Sequence, residues 1–105
     1  MPLYKVVISG AARRTLIDQV AFLAAVNPAA AQALRSKLMR EIRSLAQMPE
    51  RFPYLEPENR KSRYQKMVVP DWHLVIYSVE RDTVFVEYIL DCRQDYQWLI
   101  AERDR

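Results

Sequence analysis

Trp72-His73-Leu74-Val75-Ile76-Tyr77-Ser78-Val79-Glu80-Arg81-Asp82-Thr83-Val84-Phe85-Val86-Glu87-Tyr88-Ile89-Leu90 is the stretch on which the fold turns. Its two β-favouring runs, residues 72–79 and 83–90, are joined only by a short polar turn, Glu80-Arg81-Asp82. A connection this short returns the second strand antiparallel to the first. Just upstream, residues 63–69 form a third such run, separated by Pro70-Asp71. Three strands of an antiparallel meander are therefore predicted.

Working back toward the N-terminus, residues 49–58 contain Pro49, Pro53 and Pro57. Three prolines rule out a regular helix interior or a central strand, so this is a loop, and its large side chains are expected to lie on the body of the protein. Before it, Ala31, Leu34, Leu38, Ile42 and Leu45 recur at helical spacing, with Arg35, Lys37, Arg40 and Arg43 as a basic flank. Leu16, Ile17, Val20, Leu23 and Ala24 do the same over residues 11–26. Asn27-Pro28 stops the first helix and starts the second, because Asn caps well and Pro suits the first helical turn. A link this tight packs the two as an antiparallel hairpin. Residues 3–8 read as an opening strand, with Ser9 as the N-cap of the first helix. The order β-α-α-β-β-β predicts an α+β domain: a four-stranded sheet with one face under the helical hairpin and the other less covered. Residues 91–102 are expected to form a short helix or tail.

The chain has 105 residues, enough for one domain and too few for two. No apolar run approaches a bilayer span, and the first residues lack the hydrophobic core of a signal peptide. The expectation is a soluble cytoplasmic chain with no membrane contact. Cys92 is alone and His73 is the single histidine, so neither an internal disulfide nor a clustered metal site is expected, and no cofactor. Charge is uneven: residues 1–66 hold 12 Lys and Arg against 5 Asp and Glu, and residues 67–105 hold 4 against 8. Twelve of the 16 cations are Arg, whose planar fork pairs with carboxylate or phosphate, so an acidic partner or a polyanion competes with a plain solvated surface.

Taken in order, Ser9 and the alanines before a helix, Asn27-Pro28-Ala29-Ala30-Ala31, Ser44-Leu45-Ala46-Gln47-Met48-Pro49 and the basic residues 60–66 are followed by the strands quoted above. The closing stretch is Leu90-Asp91-Cys92-Arg93-Gln94-Asp95. This succession resembles the ParE/RelE toxin superfamily over nearly the whole chain, and the Asn-Pro-Ala-Ala link with the closing stretch is similar to the ParE branch. The resemblance implies a cognate antitoxin as partner, with operator DNA reached only through that antitoxin. It leaves the target open. ParE-like members poison DNA gyrase, whereas RelE-like members cleave messenger RNA on the ribosome without metal ions. A third alternative is a weak or inactive toxin acting mainly in an operator-binding complex.

RNA cleavage by 2′-hydroxyl attack needs a proton acceptor, cations for the phosphorane and an acid for the leaving oxygen. The candidates are His73, Arg93, Arg63 and Lys66. By resemblance, His73 stands in the strand where RelE-like proteins carry an active Arg, and Arg93 matches an Arg just after the fourth strand. The terminal Tyr of several RNA-cleaving members has no counterpart: Tyr96 comes too early and Leu99, beside Trp98, takes its place. Ordinary structural roles compete at each position: a sheet histidine, an Arg93 paired with Asp91 or Asp95, a core Trp98. The target-facing surface is expected where the strands converge, at Arg63, Lys66, His73, Arg93, Tyr96 and Trp98. The antitoxin is expected on Phe22, Arg35, Arg40, Arg43, Phe52, Tyr54 and Leu55.

Overall fold

A computed structural model describes residues 3–55, 63–69 and 73–91. Strand β1 is Lys5–Ile8, helices α1 and α2 are Gly10–Ala24 and Pro28–Arg43, and two short 3-10 turns follow at Ser44–Ala46 and Pro49–Arg51. The meander is β2 (Gln65–Val69), β3 (His73–Glu80) and β4 (Thr83–Asp91). The predicted α+β architecture is present, and the sheet order is β1-β4-β3-β2, with β1 parallel to β4 and the other pairs antiparallel.

Both helices begin as their caps dictate. The Ser9 hydroxyl accepts from the Ala12 amide at 3.0 Å, and the Asn27 side chain accepts from the Ala30 amide at 3.1 Å, with Pro28 opening α2. Arg40 and Arg43 stand in the last turn of α2, where cations complement the helix dipole. Ala31, Leu38, Ile42 and Leu45 are buried as their spacing predicts. On α1 the buried face is Ala12 and Leu16, with Val20 packed against the core, while Ile17 is 59% exposed. Ile17 lies one position around the helix from Leu16 and so falls on the outer flank.

The sheet's register shift lies in β4. Ile76 pairs with Tyr88 but Tyr77 pairs with Val86, so Glu87 is passed over as a bulge. One extra residue reverses the alternation of side chains. Val84, Val86 and then Ile89 all face the hairpin and are fully buried. Tyr88 and Leu90 go to the opposite face, where they pack with Leu55, Leu74, Ile76 and Tyr64. That second face is therefore less bare than expected. The Ser9 hydroxyl donates to the Glu87 carbonyl at 2.8 Å, and the Ser9 amide donates to the Val86 carbonyl at 2.9 Å, tying the start of α1 to the bulge.

The proline-rich loop is held down by polar groups under its backbone. Buried Tyr77 donates its hydroxyl to the Pro49 carbonyl, and Gln65 donates to the carbonyls of Phe52 at 2.9 Å and Pro49 at 3.3 Å. Pro53 and Leu55 then pair with the start of β2 through Lys66 N to Pro53 O at 3.0 Å and Leu55 N to Tyr64 O at 2.8 Å. Arg51 folds back to the carbonyl-rich end of α2, reaching the Met48 carbonyl and the Ser44 hydroxyl at 3.1 Å each.

Two outcomes are expected. Ser9→Ala removes a cap and leaves the bulge carbonyl without its donor, and should cost about 2 kcal/mol in equilibrium denaturation; a cost near zero would show that the bulge holds α1 without Ser9. Burial pushes the Tyr77 hydroxyl well above the ordinary tyrosine value, so the folded state holds it neutral. Its contribution is intact below about pH 10 and declines as pH rises further, by at most about 1.4 kcal/mol per pH unit. Denaturation curves across that range should flatten in Tyr77→Phe.

Candidate functional site

Among the described residues, the sequence-derived candidates Arg63, Lys66 and His73 do not gather at one place. Register places Gln65 opposite Tyr77 and Val69 opposite His73, so Arg63 and His73 lie toward opposite ends of the sheet. At a strand rise of about 3.3 Å, the four steps of β2 from Gln65 to Val69 alone span about 13 Å. The expectation that Arg63, Lys66 and His73 converge is corrected here. Its physical reason is the meander itself: the start of β2 meets the end of β3, not its beginning. Lys66 also points to the sheet face opposite His73, because Met67 and Val69 on β2 pack with the hairpin-side core, as Val75 and Tyr77 do on β3. Arg93, Tyr96 and Trp98 lie outside the described residues.

His73 faces the hairpin and is 8% exposed. Its Nε2 lies 2.8 Å from Oε1 of Gln19 on α1, and its Nδ1 is buried with no hydrogen-bond partner among the described residues. As an amide oxygen only accepts, Nε2 carries the proton. The imidazole thus joins α1 to the sheet, an arrangement that a general base attacking solvent-borne RNA does not need. Arg63 pairs with Glu80 at 3.6 Å, both side chains largely exposed. Around them a polar hollow of about 560 Å³ is lined by Glu50, Tyr54, Arg63, Gln65, Glu80 and Arg81, among others. Two guanidiniums face two carboxylates there, leaving no net attraction for a polyanion.

The residues expected to meet an antitoxin divide similarly. Phe52 packs half-buried against the main core, and Leu55 is 5% exposed in the second cluster. Both serve the fold, and of that loop Tyr54 remains at the surface. Arg35, Arg40 and Arg43 are exposed along α2. Arg35 borders a groove of about 450 Å³ formed by Ile8, Leu16, Ile17, Val20 and Met39, with Arg13 beside it. Arg13 and Met39 escaped the sequence reading, and Ile17 entered it only as a core residue. An antiparallel helical net could have found them, because residues early in α1 must oppose residues late in α2. Phe22, 79% exposed, stands nearer the hairpin tip.

Among the described residues no group of three His, Cys, Asp or Glu could hold a metal ion, and no helix is long and apolar enough to cross a membrane. In comparisons with known proteins, residues 6–96 match the family described as ParE toxin of type II toxin–antitoxin system, parDE. No curated protein matches in sequence. Among solved structures, a chain of the chromosomal ParDE TA system from P. aeruginosa superposes with a TM-score of 0.71, covering 85% of this chain and 96% of that one. At 11% identity that likeness concerns the fold.

If His73 is a fixed joint between α1 and β3, Gln19→Leu should leave its buried Nε2–H without an acceptor and cost about 1–3 kcal/mol. A melting temperature equal to that of the unmodified chain would show that the contact carries nothing.

Proposed function

The chain belongs to the ParE toxin family of type II toxin–antitoxin systems, and on that footing we propose that it is a toxin that works by binding, with DNA gyrase in the cytoplasm as its target and an antitoxin as its inhibitor. The observation that favours binding over RNA cleavage is the placement of His73, buried against Gln19 and remote from Arg63. Proton transfer to or from RNA requires a group within hydrogen-bond reach of the substrate, with phosphate-binding cations around it. His73, Arg63 and Lys66 have neither a shared face nor a shared end of the sheet.

Antitoxin capture is proposed at the groove between α1 and α2. Exposed Ile17 and the apolar lining around it suit the hydrophobic stripe of an amphipathic helix, and Arg13 and Arg35 suit acidic residues beside that stripe. A flexible antitoxin segment would order there on binding, and operator DNA would be met only through the antitoxin. For the target, Arg93 remains the first choice on the sequence alone, because its guanidinium engages carboxylate or phosphate without proton transfer.

The purified chain should form a complex with the product of the adjacent gene at micromolar concentration, and Arg35→Glu should weaken it at least ~10-fold, one charge-assisted contact being worth that much. The same chain should alter gyrase-mediated DNA cleavage and leave messenger RNA intact on translating ribosomes. Arg93→Ala should lose toxicity while still binding antitoxin. Codon-dependent cleavage abolished by His73→Ala would overturn the binding reading.

A further inference from the structure

Helix α2 turns a face to solvent that the groove between the helices does not use. Gln32, Ser36, Arg40 and Arg43 follow one another at spacings of four, four and three residues, which sets them in one stripe along the helix, with Arg35 at its border. All five are exposed. Glu41, the single carboxylate of α2, is half-buried, so no exposed acid within the helix offsets the stripe. None of the large hydrophobic side chains exposed on the described surface belongs to α2.

The fold makes no use of these guanidiniums. Elsewhere Arg63 pairs with Glu80 at 3.6 Å, and Arg51 donates to the carbonyls of Gln47 and Met48 and to the Ser44 hydroxyl. Arg40 and Arg43 stand beside that same carbonyl-rich end of α2, where Arg51 already holds the acceptors. Among the described residues, Arg35, Arg40 and Arg43 make no ion pair and no side-chain hydrogen bond. Nor do Arg40 and Arg43 line the α1–α2 groove, whose cations are Arg13 and Arg35.

We propose that this face of α2 binds the phosphate backbone of double-stranded DNA without reading its sequence. A guanidinium pairs with phosphate through its planar fork, and Gln and Ser side chains hydrogen-bond to phosphate oxygens. From Arg35 to Arg43 the helix advances about 12 Å, a length over which one DNA strand presents about three phosphates. Charge alone would suit an acidic protein as well. The composition of the face decides between them, because protein interfaces draw most of their affinity from buried aromatic or aliphatic anchors and this stripe exposes none. A backbone contact needs no such anchor. Since no base is read, selective recognition of operator DNA stays with the antitoxin, and the contact stands whether or not gyrase is the target.

Fluorescence anisotropy of a labelled duplex of about 20 base pairs, titrated with the purified chain at salt from about 0.05 to 0.2 M, tests this. The expected result is Kd of about 10–100 µM near 0.1 M salt, alike for two unrelated sequences, with a log–log salt slope of about −2 to −3. Arg40→Gln/Arg43→Gln, two exposed changes to a good helix former, should raise Kd at least ~10-fold and reduce the slope by about 2. Arg63→Gln/Arg81→Gln removes the same charge at the other hollow and should change neither. The proposal is overturned by duplexes that stay unbound up to about 1 mM protein at the lowest salt. Equal losses in the two double variants would also sink it, since net charge and not the face would then be responsible. So would an Arg40→Gln/Arg43→Gln chain that keeps its DNA affinity and loses the antitoxin, which would assign the face to the antitoxin.

Discussion

One hydroxyl group joins the two halves of this fold. Ser9 accepts from the first turn of α1 and donates to the carbonyl of Glu87, the bulged residue of β4. A part-buried bulge leaves backbone groups that the ladder no longer satisfies, and each such group left unpaired carries a desolvation penalty. Ser9 answers that need while fixing where α1 begins, and so sets the helix axis over the sheet. The bulge in turn lets Val86 and Ile89 face the hairpin together, and sends Tyr88 and Leu90 to the other side to pack on Leu74 and Ile76. Both hydrophobic clusters thus depend on the same local break in alternation.

At the other end of the sheet, buried Tyr77 and Gln65 spend their hydrogen-bonding capacity on the carbonyls of Pro49 and Phe52. A loop with three prolines has few amides to offer a sheet, so it is secured through its carbonyls instead. That attachment buries Leu55 and half-buries Phe52, leaving less of each at the surface. Among the described residues, the surface proposed for antitoxin recognition is the groove between the helices, with Arg13 and Arg35 beside it. An acidic partner proposed for that groove would be held less tightly as salt rises.

His73 shows why residue type is a poor guide to chemistry in a small domain. Histidine on a strand is equally suited to proton transfer and to tying two elements together. Its role follows from its neighbours, and here these are Gln19 and the apolar side chains of two helices. The proposed inhibition by binding is compatible with such a residue in the frame, since it asks for a rigid surface and makes no demand for a reactive group.

The caps at Ser9 and Asn27, the two helices, the loop and the three-stranded meander were all legible in the sequence, because each rests on interactions among residues a few positions apart. Periodicity even named the buried face of α2 correctly. The tertiary structure alone decided that β1 lies parallel to β4, that Glu87 is bulged, and that Arg63 and His73 stand at opposite ends of the sheet. A period of two tells which side chains share a face only until one residue is inserted, and nothing in Val86-Glu87-Tyr88-Ile89 marks the insertion. It is fixed by Ser9, 78 residues away along the chain. Contacts at that separation are made by packing, which no local pattern encodes.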